Sequence, residues 1–170
     1  MRIKRIALCG LLTSLALILS LVERMVPLNL VVPVPGIKLG LANVVTLFAL
    51  TAMRKREASA ILLCRVTLAS IFAGSVTSFL FSLFGGFLAL GVMALLLRRE
   101  GRWFSLFGIS VAGAAAHNIG QVCAAMLVLG TADVLGYLPL LLLTSIPMGL
   151  LTGLVCRTVL NHLKKIDIFA

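Results

Sequence analysis

Charge is what this chain has least of. Only 12% of its 170 residues are Asp, Glu, Lys or Arg, and five of them are acidic. A soluble globule needs polar side chains to cover its surface, and a chain that is 61% hydrophobic with mean hydropathy +1.19 cannot supply them. Glu23, Glu57, Glu100, Asp133 and Asp167 form no close pair, so two-carboxylate acid–base chemistry has no candidates. There is no GxSxG elbow, no GxxxxGK[ST] loop and no HExxH, so an ATP-driven process would need another chain. Cys9, Cys64, Cys123 and Cys156 stand singly without CxxC spacing, and read as buried free thiols. The two histidines, His117 and His162, have no second ligand at metal spacing, and no cofactor is expected. The net charge of +10 is not a nucleic-acid signal, because no basic face alternates with aromatics.

What is present is a succession of apolar runs, each about 17 to 25 residues, separated by short basic breaks. Such runs cross a hydrocarbon core of about 30 Å as helices, and they lack the alternating polarity of a membrane barrel. The sequence therefore predicts an all-α integral membrane protein, a single domain over 1–170. Its spans are drawn at about 6–23, 38–53, 57–74, 76–97, 104–129 and 138–158. The first run follows a positive stretch like the start of a signal peptide. Leu21-Val22-Glu23-Arg24-Met25 has no small-residue cleavage site, so an uncleaved span is expected.

Basic residues set the orientation. Arg2, Lys4, Arg5, Arg54, Lys55, Arg56, Arg98, Arg99, Arg102, Arg157, Lys164 and Lys165, 12 of the 15 basic residues, fall on one side of this layout. Arg24 and Lys38 fall on the other and Arg65 within a span, which predicts six spans with both termini cytoplasmic, in the cell membrane. The first external loop holds Pro27, Pro33 and Pro35, cannot be a regular helix, and is apolar enough to fold over the bundle as a lid.

Lipid gives no hydrophobic reward for helix association, so small residues at four-residue spacing mark close packing. Such rows are Gly108, Ala112, Ala116, Gly120 and Ala124; Ser145, Gly149 and Gly153; Ser78, Ser82 and Gly86; and Gly10 with Ser14. The last is expected to face an external partner, because it lies near the basic end of the first span.

Polar groups at membrane depth are functional candidates by default. Arg65 lies about eight residues into its predicted span, roughly 12 Å deep. Asn43, Arg65, His117 and Gln121, with Lys38 above Asn43 and Asn118 as a further candidate binding residue, are expected to converge on a polar cavity open to the outside; the alternative for Asn43, Asn118 and Gln121 is that they bond to one another and lock the bundle. No acidic residue is predicted at the depth of Arg65, so its charge calls for an anionic ligand or carbonyls lining water.

Three stretches carry a resemblance: Pro35-Gly36-Ile37-Lys38-Leu39-Gly40-Leu41-Ala42-Asn43-Val44-Val45-Thr46; Ser75-Val76-Thr77-Ser78-Phe79-Leu80-Phe81-Ser82-Leu83-Phe84-Gly85-Gly86; and Gly113-Ala114-Ala115-Ala116-His117-Asn118-Ile119-Gly120-Gln121. Over nearly its whole length the chain resembles the Gx transporter family, also labelled heptaprenyl diphosphate synthase component I. That family is similar in size and layout to the S components of energy-coupling factor transporters. The resemblance implies a six-span bundle that binds a small molecule near the outer face, beneath the first loop. It also implies docking on a transmembrane coupling subunit with two ATPases, through a small-residue row on the first span. Here Gly10 and Ser14 stand where S components carry an alanine-rich row. Gly40, Asn43, Arg65, His117, Asn118 and Gln121 are the residues it marks. The older label implies a different role, a membrane partner of a soluble synthase that receives or places a prenyl-type ligand. Prenyl elongation needs aspartate clusters to hold magnesium, and the two aspartates here are 34 residues apart.

Overall fold

The computed structural model describes residues 2–25 and 38–165. The lid prolines, Pro27, Pro33 and Pro35, lie outside the described residues. Within them the chain forms six α-helices and no β-strand: α1 (Arg2–Glu23), α2 (Asn43–Ala52), α3 (Lys55–Ala73), α4 (Val76–Leu96), α5 (Leu106–Leu129) and α6 (Leu138–Lys165).

Four helical stretches are long and apolar enough to cross a membrane: Ile3–Glu23, Val76–Arg99, Leu106–Leu129 and Asp133–Leu163. With this composition, they make the chain a membrane protein. α3 has the length, at 19 residues, but carries Lys55, Arg56 and Glu57 in its first turn and Arg65 midway. α2 has only 10 residues, about 15 Å of helix, half of what a crossing needs.

The sequence places the start of the second span at 38, whereas the helix begins at Asn43. Gly40 accounts for the late start. Its φ of +86° breaks the right-handed helical path, and a β-carbon there would stand 2.8 Å from the Asn43 amide nitrogen. Residues 38–40 are therefore non-helical backbone leading into a half-length helix. α2 touches every other helix, which makes it the centre of the bundle. Asn43 and the continuous run from Val45 to Leu50 are buried, as expected of a helix enclosed on all sides.

The other helices pack around this short centre, most extensively α4 on α5 and α5 on α6. Glycine allows the first contact: a β-carbon on Gly120 would fall 2.7 Å from the Gly85 Cα and from the Phe84 carbonyl oxygen. On α6, Gly149 lies against the Val111 backbone and Gly153 against Phe107. α1 lies at the margin. It buries Leu12, Ala16, Ser20 and Glu23, while Leu11, Leu15 and Ile18 face outward. Gly10 and Ser14 are also exposed, and Gly10 has open space around it.

Candidate functional site

Non-helical backbone inside an apolar bundle is stable only if its N–H and C=O groups find partners within the protein. Lys38, Gly40 and Leu41 find partners on two helices. The Lys38 N–H donates to Gln121 Oε1 (2.7 Å), and Gln121 Nε2 donates back to the Lys38 carbonyl (2.8 Å). Glu23, buried at the end of α1, accepts from the Gly40 N–H and, at 3.3 Å, from the Leu41 N–H. Lys38 Nζ donates to Ser82 Oγ on α4 (2.8 Å), and Arg24 donates to Ser78 one turn away (3.3 Å). α1, α4 and α5 thus hold the entry to α2 by its backbone and by its one charge.

Beneath this clamp lie the polar side chains that the sequence singles out. Arg65 is 5% exposed and donates from Nη1 to Ser20 Oγ (3.2 Å), so its head reaches the last turn of α1. Its Nε and Nη2 have no hydrogen-bond partner among the described residues. Among the described residues, Asn43 is buried with both amide atoms unpartnered, and His117 is buried with no hydrogen bond of good geometry to either ring nitrogen, its Nδ1 side lying against Gly85. The two meet at Gly40, where a β-carbon would stand 2.8 Å from Asn43 Nδ2 and 3.0 Å from His117 Cδ2. His117 and Gln121, one turn apart on α5, both lie against Gly85 of α4.

Asn118 faces elsewhere. Its amide nitrogen donates to the Leu141 carbonyl of α6 (2.6 Å). Adjacent helical residues point about 100° apart, so Asn118 turns toward α6, its Oδ1 without a partner among the described residues, while His117 faces the α2 entry. Lys38, Asn43, Arg65, His117 and Gln121 are therefore gathered around one clamp, and Asn118 belongs to the α5–α6 contact.

Glu23 and Ser20 are the residues that span-by-span reading misses. The sequence places no acid at the depth of Arg65, yet the Glu23 carboxylate is buried within electrostatic reach of both Arg65 and Lys38. It stands beyond 4.0 Å of both, since the ion pair among the described residues is Arg5 with Glu57. The available signal was the four-residue spacing from Leu12 through Ala16 to Ser20, which continues to Glu23 three residues on and marks one inward stripe of α1. Among the described residues no group of three or more His, Cys, Asp and Glu side chains is placed to hold a metal ion. The cluster can offer hydrogen-bond donors and a guanidinium in a water-poor setting, which suits binding an anion or carbonyl.

The family model for heptaprenyl diphosphate synthase component I matches residues 12–159. The chain belongs to that family. The match runs from the inward stripe of α1 into the last turns of α6, so every residue of the clamp and of the cluster beneath it lies within the family's extent. No curated protein and no solved structure matched the chain.

Proposed function

We propose that this member of the heptaprenyl diphosphate synthase component I family is the substrate-capturing membrane component of a transport system. In this reading it sits in the cell membrane with six spans and both termini cytoplasmic. α2 with its non-helical lead-in makes the second crossing and α3 the third. The solute is small and anionic, and bears a carboxylate or comparable group for Arg65. The exposed Gly10–Ser14 face of α1 docks on a transmembrane coupling subunit served by ATPases.

The observation that supports this reading is the set of buried, unpartnered polar atoms on Arg65, Asn43 and His117, drawn from three helices to one clamped backbone. A buried polar group without a partner costs about 1–3 kcal/mol, and more when charged. Groups gathered at that cost are the usual mark of a site that binds. Arg65→Ala should abolish solute-induced thermal stabilisation in a screen of small carboxylates while the bundle still purifies monodisperse. Stabilisation equal to that of the unaltered protein would refute the assignment.

The family description favours a second reading, an accessory membrane subunit of a prenyl diphosphate synthase that is not itself catalytic. A mild-detergent pull-down from native membranes separates the two. Recovery of a coupling protein with ATPases supports transport, and recovery of a soluble synthase without them supports the accessory role.

A further inference from the structure

A second cavity lies far from the clamp. α1 places Lys4 and Arg5 about 27 Å from Glu23, at the opposite end of the helix. There a cavity of about 420 Å³ opens between the start of α1, the end of α2 and the start of α3. Its lining is Lys4, Arg5, Leu8, Ala52, Met53, Arg54 and Glu57.

The lining has two chemistries. Three cations face one carboxylate, which leaves two positive charges in excess. Glu57 is already engaged: its Oε2 accepts from the Arg54 N–H (2.9 Å), and its Oε1 stands 3.8 Å from Arg5 Nη1. Lys55 is directed away, donating to the Ala94 carbonyl at the end of α4 (3.3 Å). Leu8, Ala52 and Met53 supply an apolar wall beside the cations, and Leu8 lies one turn along α1 from Lys4. A small soluble anion would satisfy the charges and leave the wall in water. A neutral lipid would cover the wall and leave the charges unmatched. A molecule with an anionic phosphate head and a hydrocarbon chain matches both.

We propose that this cavity binds the phosphate head and first chain carbons of an anionic lipid, through Lys4, Arg5 and Arg54 on one side and Leu8 and Met53 on the other. Two sources share that chemistry, an anionic phospholipid of the bilayer and a prenyl diphosphate. The site is separate from the clamp and holds whichever reading of that site is correct.

The test is titration of the full chain in mild detergent, followed by native mass spectrometry, with three probes: dioleoylphosphatidylglycerol, farnesyl diphosphate and inorganic diphosphate. At least one lipid probe should bind about tenfold or more tighter than inorganic diphosphate, and the tighter lipid names the source. Arg5→Gln combined with Arg54→Gln should weaken it about tenfold or more, as expected for lost charge-assisted hydrogen bonds. Met53→Trp fills the cavity without touching its charges and should weaken binding comparably, so the test survives if the charge variant fails to insert. Equal affinity for inorganic diphosphate, no binding of either lipid, or unchanged binding in Met53→Trp would overturn the proposal.

Discussion

Glu23 shows how much one residue decides. Its carboxylate satisfies two backbone N–H groups of a non-helical segment and lies three residues along α1 from Ser20, the partner of Arg65. Glu23→Gln keeps an acceptor oxygen but removes the one acidic charge buried among the described residues. The expected loss is about 2–4 kcal/mol, read as a lower midpoint in thermal unfolding in detergent, with Glu23→Asp retaining part of the stability. A midpoint equal to that of the unaltered protein in Glu23→Gln would mean that hydrogen bonding alone fixes the segment. Arg65 was legible from the sequence because a charge within an apolar run is conspicuous. Glu23 was not, because a charge at the end of a run reads as an anchor in water, and only packing reveals that the end is buried.

At the scale of helices, the small-residue rows proved unequal. Gly120 meets the α4 backbone and Gly149 the α5 backbone, whereas Gly10 meets nothing within 4 Å. Gly120→Ala should therefore destabilise the bundle by about 1–3 kcal/mol through overpacking. Gly10→Ala should change it by less than about 0.5 kcal/mol, as at an open surface position. Paired melts of the two variants check this, and equal losses would contradict the assigned interfaces. Spacing announces that a helix face is small but not which neighbour, if any, approaches it. The same limit applies to α2: its apolar run is visible, but Gly40 turns the first five positions of the predicted span into clamped, non-helical backbone.

For the whole molecule, orientation is the property that charge counts predict most sharply. Single cysteines placed at Lys4 and at His162, in a background lacking the four native cysteines, should both resist a membrane-impermeant thiol reagent in intact cells. A cysteine at Thr131, between α5 and α6, should react. Labelling of only one terminus would exclude an even number of crossings.

The sequence by itself determined the membrane character, the helical class and the residues whose polarity is costly in an apolar bundle. These depend on composition and run length, which are local sums that need no partner to evaluate. Tertiary structure decided that α2 is a half-length helix at the centre, that Glu23 is buried against the backbone of Gly40 and Leu41, that Asn118 faces α6, and that a basic cavity opens at the far end of α1. Each of those depends on which side chains meet across helices far apart in the chain, and hydrogen-bond partners 83 residues apart, such as Lys38 and Gln121, leave no trace in local pattern.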